Sequence, residues 1–516
     1  MKLLLFIIVA LILMFASEAK LFFHAKCRQH GGGKQWFTYC ANNVRANEAA
    51  SVLSVKSNGV FTAKQSGYYR VAGAAIQYSQ VWGQGYVRIV VNGKPVFEAR
   101  QDLEGWHTAD YNQLLKLSKG DTFYVQFKII GSKGLHSWHN NRHSDIYVAF
   151  EGGFVPLVSG GCSTLKMKSG SQKLCFDKTE INTAAEYVTS STDGTFVVKK
   201  KGFYRINGFF NGKGISHMQL YIDGKFREQT HGGSNNIYQQ TRITDVYEFK
   251  KGQKFYFKVS SRQGMRAWKA EGSPQRLQIS YEGADRKIFK AYSPGHRGAG
   301  WQWYYMNNVM QNTLGDEYIQ NKNHIVKILK AGVYKINSRV IQLCNGRCYT
   351  HSKLFKNNNE FDYNGYYRDN GWRDDTAWGI MKLKAGDTVG IQYYAPNRYA
   401  YHNGITYGHF ELTYEEPFNM YNFDNGLKRH GSAYSSLSKL LLALKNKLNT
   451  ELTAAEKKDT KNTRVRMAAV GRAKAVIADS EREQSNEDNN LDELRARVKS
   501  ELDLLNRIDD LVKGKQ

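Results

Sequence analysis

The chain lacks the signatures of the common catalytic machineries. No Ser-His-Asp constellation, paired-carboxylate motif, phosphate loop or H-E-x-x-H pattern is recognisable in its 516 residues. His30-Gly31-Gly32-Gly33 has the look of an esterase oxyanion loop, but no G-x-S-x-G elbow accompanies it, so it reads as a turn. The expectation is a protein that is not an enzyme and needs no cofactor; calcium is not indicated. Long apolar runs are absent after the N-terminus, so no membrane span is expected. N-x-Ser/Thr acceptors are absent too. Cysteine is limited to six residues, an even number. Acidic residues are in deficit, with 46 Asp/Glu against 73 Lys/Arg.

The one apolar run, Leu3 to Phe15, follows Lys2 and precedes the small residues Ser17 and Ala19. It is too short for a bilayer and reads as a secretion signal over 1–19. The expected location is secreted, extracellular. In an oxidising compartment the cysteines read as disulfides. Cys27 and Cys40 lie 13 apart, as do Cys162 and Cys175, at the same offsets from a recurring glycine. Each pair is expected to staple a hairpin at the front of its domain. Cys344 and Cys348 flank Asn345-Gly346, a tight-turn dipeptide, and a local bridge is expected there.

That recurring glycine is the main landmark. Gly67-Tyr68-Tyr69-Arg70-Val71 returns as Gly202-Phe203-Tyr204-Arg205-Ile206 and as Gly332-Val333-Tyr334-Lys335-Ile336. Two further landmarks keep step. Leu117 to Thr122 answers to Phe249 to Lys254 and Leu383 to Thr388, around Gly120, Gly252 and Gly386. Phe150-Glu151, Tyr281-Glu282 and Tyr414-Glu415 close the copies. Such internal repetition means three tandem domains rather than one large fold. Within each, short alternating runs of β-branched and aromatic residues sit between Gly/Asn/Asp turns, the pattern of an antiparallel sandwich or jelly roll. The expected fold is mostly β: three tandem jelly-roll sandwiches over 20–155, 156–285 and 286–418, a linker over 419–433, and an α-helical C-terminal segment over 434–516. In that tail Leu437, Leu441, Leu444 and Leu448, then Leu491, Leu494, Val498, Leu505, Ile508 and Val512, keep heptad-like spacing. A self-associating coiled coil and a helical hairpin packed on itself both satisfy it.

Gly59-Val60-Phe61-Thr62-Ala63 with Gly67-Tyr68-Tyr69, Val91-Asn92-Gly93-Lys94, and the stretch from Leu115 to Gln126 resemble the globular head of complement C1q, within the C1q/tumour-necrosis-factor superfamily. Copy one carries the best match, copy three a fair one, copy two a degenerate one. No collagen stalk precedes them. The resemblance implies a ten-strand jelly roll, heads that associate in threes, and recognition rather than catalysis. Three heads on one chain are then expected to close into an intramolecular pseudo-trimer; beads on a string is the other arrangement.

Formal charge is +27, and 434–516 contributes only 17 Lys/Arg against 14 Asp/Glu. The positive field therefore belongs to the repeats. In a secreted protein it points to acidic polysaccharides or surface glycans, and not to nucleic acid. The expected ligand-binding residues lie on the loop before each closing strand: Trp138, His139, Asn140 and Arg142; Arg262, Arg266, Trp268 and Lys269; Arg398, Tyr399 and Tyr401. Aromatic faces stack on sugars while amides and guanidinium groups donate hydrogen bonds. His136, His139 and His143 share the first of these loops and are a weak metal candidate against a solvated loop. Dense clusters such as Trp301-Gln302-Trp303-Tyr304-Tyr305 would suit cation–aromatic adhesion. The leading expectation is a multivalent lectin-like protein of innate-immune type, self-associating through its heads and C-terminal helices. The alternative is a structural or adhesive protein of extracellular matrix, mucus or biomineral.

Overall fold

The computed structural model describes residues 21–27, 35–130, 145–162, 166–167, 169–231, 238–267, 275–293, 300–344, 348–368, 371–395 and 408–415. All lie in one compact unit, Ala19–Pro417. The segments expected to be a secretion signal (1–19), a linker (419–433) and a helical tail (434–516) lie outside the described residues. Among those described there is no helix long and apolar enough to cross a membrane.

The strands fall into three successive sets. The first is β1 (Phe22–Lys26), β2 (Phe37–Thr38), β3 (Asn43–Asn47), β4 (Leu53–Val55), β5 (Phe61–Ala63), β6 (Gly67–Val91), β7 (Lys94–Leu117), β8 (Thr122–Ile130) and β9 (Asp145–Gly152). The second is β10 (Leu157–Gly161), β11 (Lys166–Met167), β12 (Gly170–Lys173), β13 (Lys178–Asn182), β14 (Val188–Ser190), β15 (Phe196–Val198), β16 (Gly202–Ile222), β17 (Lys225–His231), β18 (Tyr238–Phe249), β19 (Lys254–Ala267) and β20 (Gln275–Gly283). The third is β21 (Ile288–Tyr292), β22 (Gly300–Trp303), β23 (Asn308–Asn312), β24 (Ile319–Lys322), β25 (Ile325–Ile328), β26 (Gly332–Cys344), β27 (Cys348–Lys356), β28 (Asn359–Arg368), β29 (Gly371–Leu383), β30 (Thr388–Ala395) and β31 (His409–Glu415).

The third set shows the plan most openly, as two antiparallel sheets ordered β23-β21-β31-β26-β29 and β24-β25-β30-β27-β28. In the first set the same order runs through one continuous sheet. The first half of β6 pairs with β9 and its second half with β8, so β6 crosses between the layers. Consecutive strands that switch between two facing antiparallel sheets make a jelly-roll sandwich. The alternation read from sequence is realised in β8, where Phe123, Val125, Phe127 and Ile129 are buried and Tyr124, Gln126 and Lys128 face outward. Each set has its own core: Phe61 stacks on Phe123 with centroids 5.0 Å apart, and Phe196 on Phe255 at 5.0 Å.

The three sequence landmarks have physical causes. A Cβ on Gly67 or Gly202 would lie 2.6 Å from the ring of Phe150 or Tyr281, and one on Gly332 would overlap Tyr414. The landmark glycine thus makes room for the aromatic ring that closes each set. The tyrosine two residues on is buried and donates its hydroxyl to a carbonyl four residues back: Tyr69 to Gln65, Tyr204 to Lys200, Tyr334 to Lys330. The Gly-Asp-Thr landmark ties two turns together. Asn92, at φ 48°, opens the hairpin between β6 and β7 and donates to Asp121 at 2.7 Å, while Thr122 N donates back to it. Asn357 and Asp387 repeat this in set three. Set two reverses the chemistry: Asp223 accepts from Gln253 at 2.7 Å and from Lys254 N at 2.8 Å.

Disulfides join Cys27 to Cys40 and Cys162 to Cys175. They do not staple hairpins, as the sequence suggested. β1 pairs with β3 and β9, whereas β2 pairs with β8 in the opposite layer. In set two, β10 pairs with β13 and β20, while β11 and β12 pair with β19. Each bridge therefore clips one layer of the sandwich to the other. The bridge expected between Cys344 and Cys348 lies outside the described side chains.

The sets also pack on one another in a cycle. Leu157 of β10 packs on Tyr68 and Leu114 of set one. Ile288 of β21 packs on Phe203 and Val246 of set two. Phe22 of β1 packs on Val333 and Ile380 of set three. The first strand of every set thus packs on the β6–β7, β16–β18 or β26–β29 pair of another set, and the third contact closes the ring. A head-to-tail interface whose rotation closes produces a ring rather than a filament.

Gly332→Ala is expected to cost about 1–3 kcal/mol, the usual cost of overpacking, because the added methyl overlaps the Tyr414 ring. Urea unfolding followed by tyrosine fluorescence reads this as a lower midpoint. An unchanged midpoint would mean that the ring swings aside freely.

Candidate functional site

Two regions hold chemistry that a bare sandwich does not need: the buried junction of the three sets, and the solvent face of each second sheet.

At the junction, the cation following each landmark tyrosine meets the closing glutamates. Arg70 Nε donates to Glu151 at 2.8 Å, and its Nη2 lies 3.9 Å from Glu282. Arg205 Nε donates to Glu282 at 3.1 Å and its Nη1 lies 3.7 Å from Glu411. Lys335 donates to Glu151 at 2.9 Å and lies 3.2 Å from Glu415. All of these groups are buried. Each cation therefore bridges its own set and a neighbour.

Beside this ring, Glu228, Asp245 and His409 bring three candidate metal ligands within 4.8 Å of one another. Cations already fill their surroundings: Lys290 donates to Asp245, and Arg339 Nη2 lies 2.6 Å from Glu228, close but not aligned as a hydrogen bond. A divalent ion would face both. Burial, with Asp245 beside it, pushes the Glu411 carboxyl up to about 8. Burial also opposes ionisation of Asp245, yet Lys290 holds that carboxyl well below the usual range. Burial drives the His409 imidazole down to about 3.

A cavity of about 50 Å³ opens next to it, between Ala72, Gly73 and Ala74 of set one and Arg339, Trp378 and His409 of set three. Asn207 and Asn337 occupy the positions equivalent to Ala72. Each donates across an interface, to Asn112 O at 2.6 Å and Thr244 O at 2.8 Å. Alanine makes no such bond and leaves space.

The outer faces differ in kind. On set one, the Arg88 guanidinium lies 3.9 Å over Trp36, and Lys128 lies 4.6 Å over both Trp36 and Tyr86. On set two, Tyr221 and Tyr256 stack nearly parallel at 5.2 Å, with Lys258 4.7 Å over Tyr221 and Lys173 4.8 Å over Tyr256. On set three, Lys353 lies 3.9 Å over Trp301, which is 38% exposed and faces Tyr394. The ladder explains the placement: Trp301 is opposite Tyr394, and Lys353 opposite Gln392, so aromatic and cationic groups fall on one face. Burial, helped by Lys353, lowers the His351 imidazole to about 4, so this face carries a neutral ring. Flat rings bordered by ammonium and guanidinium donors can stack on a sugar and pair with its acidic groups.

The loop residues expected from sequence, Trp138, His139, Asn140, Arg142, Trp268, Lys269, Arg398, Tyr399 and Tyr401, lie outside the described residues, as do His136 and His143. Arg262 and Arg266 are not on a loop: β19 continues through them to Ala267, with Arg266 opposite Lys166 of β11. The extra partner strand prolongs the ladder past the expected turn. Of the residues in the outer faces, only the Trp301–Tyr305 cluster stands out in the sequence. Its alternation splits it, with Trp301 exposed and Tyr304 buried. The usable signal was an aromatic or cation at every second position, as in Tyr86-x-Arg88 and Tyr256-x-Lys258.

No protein-family model matches the chain, and no curated protein matches it. Among solved structures it is similar to the crystal structure of murine APRIL at pH 5.0, with 9% identity and a TM-score of 0.21, over 25% of this chain and 98% of that one. At that score the likeness adds nothing to the strand order, which itself defines the jelly roll.

His409 is buried among Asp245, Lys290, Arg339 and Glu411. Its folded pKa lies below the ordinary ~6.5 of an unfolded histidine, so the unfolded chain binds the extra proton and stability falls as pH drops from about 6.5 toward 3. His409→Gln is expected to flatten that part of the profile, read as urea midpoints across pH. An unaltered acid slope would assign the loss to other groups.

Proposed function

We propose that the protein is a secreted, multivalent binding protein of C1q type that recognises acidic glycans on microbial or cell surfaces. The observation that carries this reading is the pairing of exposed or half-exposed aromatic rings with Lys or Arg on the outer sheet of every set. The reading takes the three strand sets as three C1q-like heads. It takes the N-terminal segment as a secretion signal and the C-terminal segment as a helical assembly element. The excess of basic residues outside 434–516 supplies long-range attraction to polyanions. Three faces on one chain add avidity when several engage one surface. Binding, not turnover, is the activity proposed. The same cation–aromatic density supports a second reading, an adhesive or matrix component that cross-links polyanions without sugar specificity.

A glycan array with the mature chain, residues 20–516, at low and at near-physiological salt tests both. Retained binding to defined acidic sugars is expected, with Trp301→Ala and Lys353→Ala each weakening it about tenfold, the scale of one stacked or cation–aromatic contact. Binding to every polyanion alike, lost as salt rises, would move the assignment to the matrix reading. Retained binding that neither variant disturbs would overturn the outer face as the site.

A further inference from the structure

We infer that His217 and His231 form a two-histidine site for a divalent transition-metal ion of the zinc and copper class. His217 lies in β16 and His231 ends β17, and the two are direct partners in the antiparallel ladder. Directly opposed residues project from the same face. Their Nδ1 atoms stand 3.2 Å apart, with ring centroids at 4.7 Å and planes at 90°. Without a metal, that distance fits one neutral ring donating Nδ1–H to the other. It also lies close to the donor–donor edge of a tetrahedral site. With metal–nitrogen bonds of about 2.0–2.1 Å, that edge is about 3.3–3.4 Å. The backbone register therefore sets both imidazoles within about 0.2 Å of a chelating separation. Both rings are partly exposed, so water can complete the coordination.

The groups behind the pair support the exchange. Gln229 Nε2 lies 3.0 Å from His231 Nε2, Gln219 Nε2 lies 2.6 Å from Gln229 Oε1, and the Tyr221 hydroxyl lies 3.2 Å from Gln219 Oε1. In this sense the Gln229 amide donates to His231 Nε2, which leaves the ring proton on Nδ1. Rotating both amides by half a turn reverses every bond without moving a heavy atom appreciably. His231 Nε2–H then donates to Gln229 Oε1, Gln229 donates to Gln219 Oε1, and Gln219 donates to the Tyr221 oxygen. Both Nδ1 atoms can then turn their lone pairs to the ion. Metal-bound imidazoles ordinarily give their other N–H to such an acceptor. No net proton is released; the proton on His231 passes from Nδ1 to Nε2 through solvent.

Set two alone has this pair among the described residues. Counting back six from the hairpin residues Asn92, Asp223 and Asn357 gives Tyr86, His217 and His351. Tyr86 faces Arg100 and His351 faces Gly365 in their ladders, so neither has a second imidazole opposite.

The test is isothermal titration of Zn²⁺, and separately Cu²⁺, into the untagged mature chain at pH 7.5. His217→Ala, His231→Ala, Gln229→Leu and His351→Ala are compared, with thermal melts confirming folding. One equivalent of ion is expected to disappear in either His217→Ala or His231→Ala and to persist in His351→Ala. Gln229→Leu should keep the stoichiometry and weaken binding about 10–100-fold, as loss of an orienting partner does. Lowering pH below the ordinary histidine pKa of ~6.5 should weaken binding in the wild type. Absence of binding in the wild type, or the same stoichiometry and affinity in His217→Ala and His231→Ala as in the wild type, overturns the inference.

Discussion

Three buried cations, Arg70, Arg205 and Lys335, hold the carboxylates of two strand sets each, and the assembly depends on them. Burying an ion pair gains little over an apolar contact of the same volume, because desolvation cancels most of the attraction. Removing one partner is far more costly, since the other is left charged in a dry site. The ring of cations therefore acts less as glue than as a register device. Any slip between sets would leave Glu151, Glu282 or Glu415 uncompensated. The apolar contacts of Phe22, Leu157 and Ile288 provide the adhesion around it.

This constraint divides the labour between the two sheets of each sandwich. The sheet bearing β1, β10 or β21 is consumed by packing against the neighbouring set. The opposite sheet leaves Trp36, Tyr221, Tyr256 and Trp301 exposed or half-exposed, and its outward positions carry the rings and cations. The proposed binding thus falls on the faces that the junction does not need, while the disulfides clip the two layers together.

Much of this was legible in the sequence. The landmark Gly67, Gly202 and Gly332 and the tyrosine two residues later recur in every set, and the Gly-Asp-Thr turns in sets one and three, because each has a local geometric cause. The alternation in β8 announced its own burial. The disulfide arrangement was not legible, since spacing alone cannot tell a hairpin from a crossing between sheets. Arg262 and Arg266 were misplaced for a related reason: β11 extends the ladder of β19, a contact made far along the chain. The outer faces were nearly silent, because a ring and a cation become one site only after strands distant in sequence are laid side by side.

Joining three similar sets in one chain also removes a constraint that identical subunits share. In a ring of identical copies every position is used three times, so a change at one interface is a change at all. Here Asn207 and Asn337 bridge two interfaces while Ala72 leaves a cavity of about 50 Å³ at the third. The packing cost of that space falls on one interface only. The reversed Asp223–Gln253 turn and the paired histidines of set two are divergences of the same kind. Three sets carried on one chain and closed by side-chain packing can keep one junction while each face acquires its own chemistry, so in the proposed reading binding specificity can differ from face to face.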